Sequence, residues 1–236
     1  MASIDPQPFI DEFVSSPAEA LMKNRGYYLF DRKVDTAACR DLCVRIDRLS
    51  ESGKAEIHYG GSEHRNWHAA ARDAAFAPIE AISNAVMPRL YGRESKAFNV
   101  LAIRNRRVPP EAERTDMRWH LDSFRKQLKL FLFLTDVTED TGPLEYVPYT
   151  HKPAFKYRNA LRLGYYRLKD LKPENRGKRS WRRIHDNTIV RVEELGYPAQ
   201  PLVVPAGTFA LVDTSGLHRA RPCFSGERYA VTTYHH

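Results

Sequence analysis

The chain has 236 residues, of which 42% are hydrophobic and 28% are charged. These proportions are ordinary for a globular protein and exclude intrinsic disorder as the default state. No apolar run approaches the ~20 residues that a membrane-spanning helix requires, and the acidic N-terminus lacks the basic start and apolar core of a secretion signal. The three cysteines are too few for a disulfide framework. We therefore expect a cytoplasmic protein without a membrane span.

The positive charge of the chain is concentrated in one segment. The formal net charge is +8. Residues 156–191 contain twelve lysines and arginines against three acids, whereas the rest of the chain contains 25 basic and 26 acidic residues. A single basic block indicates one local element that faces an anion, rather than a uniformly basic surface for nucleic acid. A solvated surface loop is the alternative interpretation.

The first 95 residues are predicted to be a mainly helical support region. Apolar residues at helical spacing and start signals at Ser16-Pro17 and Asp35-Thr36 predict helices here. The predicted elements are one or two short helices over 8–25, a brief strand over 27–30, a helix over 34–52, an irregular loop over 52–76 and a helix over 77–92. Cys39 and Cys43 share one helix face and are interpreted as packing residues rather than half of a zinc site.

From residue 98 onward the pattern changes to short strands separated by glycine and proline. The predicted strands lie at 98–108, 118–124, 127–137, 144–152, 189–195, 200–213 and 228–235. A helical opening followed by such strands is typical of a mostly β fold with flanking helices, either a β-sandwich or a double-sheet jelly roll. We expect a single domain over residues 1–236, with a jelly-roll core over 96–236 and a basic insertion at about 153–192.

Three residues from two distant parts of the chain suggest a metal centre. His120 and Asp122 are two residues apart, so on an extended strand both side chains reach the same point. The pair alone is a weak signal, but His218 follows a later strand and a glycine turn. Two histidines and one carboxylate on a β scaffold are typical of a non-haem Fe(II) oxygenase, because they leave three coordination positions for a 2-oxo acid and dioxygen. Arg228, ten residues after His218, could bind the distal carboxylate of such an acid.

At these residues the chain resembles the phytanoyl-CoA dioxygenase-like branch of the Fe(II)/2-oxoglutarate-dependent oxygenases. The matching segments are 24–30, 119–122, 134–137 with 141–144, 147–152, and 217–219 with Arg228. This resemblance extends over nearly the whole chain. It implies a cupin-like double-stranded β-helix, the jelly roll, with the metal inside one end.

The resemblance also implies roles for individual residues. His120, Asp122 and His218 would hold Fe(II), and Arg228 would bind the distal carboxylate of 2-oxoglutarate. Further cosubstrate contacts are expected from Lys129 and Asn105, and substrate contacts from the loop residues His64, Trp67 and His68. Two residues depart from the family pattern: Tyr149 replaces a usual glycine, and Ala220 stands where a hydroxyl often assists cosubstrate binding. His151 is interpreted as a turn residue rather than a fourth ligand.

The implied reaction uses O₂ to convert 2-oxoglutarate to succinate and carbon dioxide while a substrate C–H bond is hydroxylated. The carboxylate of Asp122 favours hydroxylation, since related halogenases have a small residue at that position. Trp181, Arg182 and Arg183 lie in the basic segment, which we expect to form a lid that selects a small anionic or polar substrate. Two alternatives remain: a protein that binds or modifies nucleic acid through this segment, although no nucleic-acid-binding motif is recognised, and a catalytically silent jelly roll. The sequence predicts neither the substrate nor the oligomeric state.

Overall fold

In the computed structural model, the chain forms two facing β-sheets and a layer of helices. The structure describes residues 3–109, 118–159, 162–163 and 182–235, and residues 182–183 are described for their backbone alone. The helices are α1 (Gln7–Ser15), α2 (Ala18–Arg25), α3 (Thr36–Glu51), α4 (Ala69–Arg72), α5 (Ala77–Tyr91), α6 (Pro153–Asn159) and α7 (Asp186–Glu194). The strands are β1 (Tyr27–Lys33), β2 (Glu56–His58), β3 (Glu63–Asn66), β4 (Ala97–Arg106), β5 (His120–Leu121), β6 (Leu128–Phe133), β7 (Leu144–Tyr146), β8 (Arg182–Arg183), β9 (Gln200–Pro201), β10 (Thr208–Asp213), β11 (His218–Ala220) and β12 (Glu227–His235).

The helices of the N-terminal part begin and end at the signals in the sequence. The side chain of Asp35 accepts a hydrogen bond from the backbone N–H of Ala37 at 2.7 Å, which caps α3. Helix α2 ends at Gly26 with φ 88°, and α5 ends at Gly92 with φ 68°, a left-handed conformation that glycine adopts without steric cost. These helix bounds agree with the predicted ones to within a few residues.

Two of the predicted elements are wrong. Residues 52–76, predicted as an irregular loop, contain strands β2 and β3, because β3 pairs with β4 along a register that no local pattern reveals. Residues 189–195, predicted as a strand, belong largely to helix α7. Ile189 and Val192 are buried there at helical spacing, and an alternating apolar run of this length does not distinguish a helix from a strand.

The sheet topology confirms the predicted jelly roll. The larger sheet has seven strands in the order β1-β10-β6-β12-β4-β3-β2, and the smaller sheet has five in the order β8-β5-β11-β7-β9. The strand pairs within both sheets are antiparallel. The N-terminal part of the chain therefore contributes three strands to the larger sheet as well as its covering helices.

The packing of side chains on β12 distinguishes the helix-covered face of the larger sheet from the inner face, which lies towards the smaller sheet. Tyr229 and Val231 pack in the hydrophobic core that the helices form with this sheet, whereas Ala230 packs with Tyr146 of the smaller sheet. Because successive side chains alternate across a strand, the even-numbered residues of β12 face the space between the sheets. Arg228, Thr232 and Tyr234 therefore share that inner face.

Cys39, Cys43 and Cys223 are free thiols, and Cys39 is buried in the helix-covered core as predicted. Within the described residues, every helix is too short or too polar to traverse a lipid bilayer.

Candidate functional site

His120, Asp122 and His218 converge at one end of the space between the sheets. Strands β5 and β11 pair so that His218 lies opposite His120, and the two ring centroids are 4.4 Å apart. Asp122 Oδ1 lies 3.5 Å from His120 Nε2 and 3.8 Å from His218 Nε2. One ligand atom from each residue lies within 4.8 Å of the others, and no other group of three such residues is found in the described part of the chain. Two imidazole nitrogens and one carboxylate oxygen on one side of a point form the donor set of a non-haem iron site.

The backbone orients both imidazoles towards this point. His120 Nδ1 lies 2.8 Å from the carbonyl oxygen of Arg118, and His218 Nδ1 lies 2.9 Å from that of Gly216. A carbonyl oxygen can only accept, so Nδ1 donates in each ring and the lone pair of Nε2 faces the centre. The backbone N–H of Asp122 donates to Thr214 O at 3.0 Å, which joins the segment carrying Asp122 to the turn before His218.

Burial and neighbouring charges keep these groups in the protonation states that a metal requires. Burial, together with the nearby His120, lowers the pKa of His218 to about 3, so its imidazole is neutral. Burial alone would raise the pKa of Asp122, but Lys129, His218 and His120 together lower it well below the usual range. The centre therefore offers neutral imidazole and ionised carboxylate, which are the ligand forms that bind divalent metals.

Lys129 lies at this centre, in contact with a metal-site carboxylate. Its Nζ is 2.6 Å from Asp122 Oδ2, the oxygen that does not face the imidazoles, and lies 4.2 Å from the centroid of the Tyr234 ring. Burial would lower the pKa of Lys129, but the Asp122 carboxylate and Tyr234 raise it. Lys129 thus pairs with Asp122 here, whereas the sequence predicted a contact with the cosubstrate.

Arg228 has the open hydrogen-bonding position that a carboxylate ligand would need. Its guanidinium is buried, and Nη2 donates to Asn105 Oδ1 at 2.9 Å. Asn105 in turn donates to Glu63 Oε2 at 2.5 Å, which fixes the orientation of the amide. The Nε of Arg228 is buried and has no hydrogen-bond partner. An unsatisfied donor on a buried cation is costly, so this atom fits a carboxylate oxygen of a bound 2-oxo acid.

Thr232 offers a second unsatisfied polar atom on the same face of β12. Its Oγ1 is buried without a hydrogen-bond partner, and the residue lies between Arg228 and Tyr234 on the inner face. Ala220, at the position where the family often has a hydroxyl, lies on β11 of the smaller sheet and pairs with Leu144 of β7. The structure therefore places a hydroxyl on β12 in a chain that lacks one at Ala220.

The residues predicted to contact substrate lie in different places. The ring of Trp67 is 5.6 Å from that of Tyr234, so Trp67 lies next to the Tyr234–Lys129 contact. His68 is exposed at the start of α4, where its backbone N–H donates to Asn99 Oδ1 at 2.9 Å. His64 is not at the centre: its Nδ1 accepts from Arg104 at 3.2 Å on the helix-covered face of the larger sheet.

Part of the predicted lid lies outside the described residues. Trp181 belongs to the undescribed segment 164–181, and Arg182 and Arg183 are described by their backbone alone. That backbone forms β8, in which Arg183 lies opposite His120 and Arg182 lies opposite Leu121. Residues 182–183 of the basic segment therefore pair with β5, the strand that carries His120.

The turn after β7 contains Tyr149, where the family pattern has a glycine. Tyr149 has φ 70°, a left-handed conformation that favours glycine. His151 donates from Nε2 to the carbonyl oxygen of Lys23 at 3.3 Å. This contact joins the turn to α2, in agreement with the interpretation of His151 as a turn residue.

Sequence reasoning missed Glu63, Thr232 and Tyr234. Thr232 and Tyr234 lie four and six residues after Arg228, and the alternation of β12 could have placed both on the face of Arg228. Glu63 gave no such signal, because β3 was not predicted and its contact with Asn105 depends on the pairing of β3 with β4.

The profile of one protein family, described as phytanoyl-CoA dioxygenase (PhyH), matches residues 22–229. Among solved structures, the epimerase SnoN, in complex with Fe3+, alpha ketoglutarate and nogalamycin RO, has a TM-score of 0.68 and 15% identity, covering 98% of this chain and 84% of its own. The carbocyclase SnoK from nogalamycin biosynthesis has a TM-score of 0.67 and 17% identity, covering 94% and 83%. EctD from S. alaskensis, with bound Fe, has a TM-score of 0.66 and 14% identity, covering 95% of this chain and 77% of its own. No curated protein matches the sequence of this chain.

Proposed function

Because this chain belongs to the phytanoyl-CoA dioxygenase family and is an Fe(II)/2-oxoglutarate-dependent oxygenase-type enzyme, we propose that it hydroxylates a small anionic or polar metabolite. The observation that carries this proposal is the convergence of His120, Asp122 and His218, with the unpartnered Nε of Arg228 on the inner face of the same jelly roll. When bound, Fe(II) with 2-oxoglutarate and O₂ supplies oxidative decarboxylation and the oxidation of a substrate C–H bond.

The residues of the chain would hold and orient these groups. His120 and His218 present Nε2, and Asp122 presents Oδ1, to one point. Lys129 holds the other oxygen of Asp122, so the carboxylate is directed to the metal through a single oxygen. The contact of each Nδ1 with a backbone carbonyl keeps the imidazoles from rotating.

The distal carboxylate of 2-oxoglutarate would bind at Arg228. Asn105 already fixes one edge of the guanidinium, so the open Nε–H is presented in a defined direction. Thr232 Oγ1 lies on the same face and could donate to the same carboxylate, which would replace the hydroxyl absent at Ala220. Both groups are buried, and a charge-assisted hydrogen bond is stronger where water is excluded.

The carboxylate of Asp122 supports hydroxylation as the outcome. It occupies the position that a halogenase would leave open for halide, so the chain supplies three ligands of its own. The epimerase and carbocyclase among the similar structures show that this fold also accommodates other oxidative outcomes. The product therefore has to be identified directly.

An anionic substrate is supported by charge and by backbone position. Residues 156–191 account for the positive charge of the chain, and β8 brings Arg182 and Arg183 into the sheet next to β5. A carboxylate or phosphate approaching this side of the fold would meet a positive potential, which raises its local concentration.

A succinate-release screen over carboxylates, phosphates and phosphonates, with Fe(II), 2-oxoglutarate and air, tests the proposal. We expect one anionic class to raise succinate release above the uncoupled rate and to gain one ¹⁸O atom under ¹⁸O₂. His218→Ala should abolish release, and Arg228→Gln should raise the KM for 2-oxoglutarate. A substrate that is converted without gaining ¹⁸O would overturn hydroxylation, and full activity of His218→Ala would overturn the assigned centre.

Charge reversal in β8 tests the substrate class separately. Arg182→Glu/Arg183→Glu should raise the KM for the substrate while leaving the KM for 2-oxoglutarate nearly unchanged. Lys54→Glu, at an exposed position in the connection between α3 and β2, is the matched control. An unchanged substrate KM in the double variant would contradict an anionic substrate held at this strand.

A further inference from the structure

A cavity of about 490 Å³ lies outside the space that contains the triad. It is bounded by the ends of α2 and α5, by the loop between β5 and β6, and by the start of α6. Leu128, which lines it, belongs to the core between the helices and the larger sheet. None of the triad residues lines the cavity. Lys129, which contacts Asp122, follows Leu128 on β6 and therefore points to the opposite side of the larger sheet. This is therefore a second site, and its occupancy does not depend on the proposed function.

The lining of the cavity carries an excess of positive charge. Five cations contribute to it, against the one carboxylate of Asp213; they are Lys23, Arg125, Lys126, Lys152 and Lys156. Asp213 Oδ1 already accepts from the backbone N–H and the hydroxyl of Ser215, at 3.0 and 2.6 Å. Within the ranges that the structure describes, no ion pair joins any of these five cations to a carboxylate.

Lys156 is the most deeply buried of these cations. Its Nζ donates to the carbonyl oxygen of Phe124 at 2.9 Å and to Ser215 Oγ at 2.8 Å, both neutral acceptors. An ammonium group has three N–H donors, so one remains for a ligand among the described contacts. Burial lowers the pKa of Lys156 to about 8, against the opposing effect of Asp213. A buried cation without a direct ion pair is unfavourable. Asp213 reaches Lys156 only through the hydroxyl of Ser215, so an anion in the cavity would supply the direct partner.

Apart from the imidazole of His151, the remaining lining of the cavity is apolar or aromatic. Met22, Leu90, Phe124 and Leu128 contribute side chains, and Tyr157 adds an aromatic ring. The volume lies within the range of small-molecule sites, roughly 300–1,000 Å³, which are mostly apolar with a few converging polar groups. We propose that this cavity binds a small amphiphilic anion, with its carboxylate or phosphate at Lys156 and its hydrocarbon or aromatic body against Met22 and Leu90.

Calorimetric titration of the full-length protein with octanoate, octyl phosphate and the neutral 1-octanol tests this proposal. The two anions should bind with one-to-one stoichiometry, and at least about tenfold more tightly than 1-octanol, because only an anion can offset the buried Lys156. Whichever anion binds better identifies the carboxylate or the phosphate as the preferred group. Equal affinity for 1-octanol, or no saturable binding of either anion, would overturn the proposal.

Two sets of variants locate the binding. Lys23→Glu/Arg125→Glu reverses two exposed cations of the rim and should weaken octanoate binding about tenfold, whereas Lys54→Glu should leave it unchanged. Lys156→Met should abolish the preference for anions over 1-octanol. If that variant does not fold, the effect of Lys23→Glu/Arg125→Glu on octanoate binding still tests whether the anion binds in this cavity. Binding should persist in His218→Ala and with saturating 2-oxoglutarate. Loss of binding in either condition would place the anion between the sheets and refute a separate site.

Discussion

Lys129 and Asp122 form a buried ion pair in which Nζ lies 2.6 Å from Oδ2, while Oδ1 of the same carboxylate faces His120 and His218. The two oxygens of Asp122 therefore have separate partners. This division explains how one carboxylate can be held in place by the protein and still present an oxygen to a metal. The ion pair also places the positive charge of Lys129 beside the candidate metal centre.

Breaking this pair should destabilise the metal-free protein. Lys129→Met leaves the carboxylate of Asp122 buried without its partner, which typically costs about 3–5 kcal/mol of unfolding free energy. Urea unfolding in the presence of a chelator measures this cost. Asp122→Asn/Lys129→Met should recover most of it, and Lys126→Met, at an exposed position in the loop before β6, should have little effect. A Lys129→Met variant of normal stability with weaker 2-oxoglutarate binding would instead support the cosubstrate contact that the sequence predicted.

The hydroxyl of Thr232 should contribute to cosubstrate affinity. Thr232→Val removes a hydrogen bond to a charged group while keeping the shape of the side chain, and a loss of about tenfold in 2-oxoglutarate affinity is expected. Anaerobic titration of the Fe(II) protein, followed through its charge-transfer absorption, measures this affinity. Thr233→Val is the matched control, because Thr233 Oγ1 bonds Ser83 Oγ at 2.7 Å on the helix-covered face. Equal effects of the two substitutions would contradict the assignment.

Gly216 should not tolerate a side chain. A Cβ at this position would lie 2.7 Å from Cζ of the buried Tyr146 ring, and the carbonyl of Gly216 orients His218. We expect Gly216→Ala to lower stability by about 1–3 kcal/mol and to weaken metal binding roughly tenfold, as measured by unfolding and by Fe(II) titration. Gly53→Ala tests backbone strain alone, since a Cβ there meets no atom within 4 Å. Unchanged metal affinity in Gly216→Ala would show that the turn does not position His218.

Lys156 should make stability depend on pH in alkaline solution. Burial lowers the pKa of Lys156 from 10.5 to about 8 in the folded protein, so between these values the unfolded chain retains a proton that the folded chain has lost. The contribution of Lys156 to stability therefore rises with pH across this interval, by ~3 kcal/mol at most. Urea unfolding of wild type and Lys156→Met at pH 7.5 and 10 tests this, because the variant lacks the rise. Parallel pH profiles would show that Lys156 is not titrating in this range.

Local patterns in the sequence determined the helices of the N-terminal part, the class of fold and the residues proposed for a metal centre. The cap at Asp35 and the glycine at position 26 act within a few residues, and the His120–Asp122 spacing acts within one strand. The resemblance to the family predicted the roles of His218 and Arg228 from the order and spacing of the family motifs. In residues 189–195 the local pattern was ambiguous, since Ile189 and Val192 suit a helix as well as a strand.

The tertiary structure alone decided which groups meet. Strand β3 depends on hydrogen bonds to β4, and β2 depends on those to β3. The pairing of Lys129 with Asp122 depends on where β6 passes the end of β5. The cavity around Lys156 is assembled from segments that are spread between residues 22 and 213. Such contacts leave no periodic trace in the sequence, because hydrogen bonds between distant strands and the burial of a charge are properties of the folded arrangement and not of neighbouring residues.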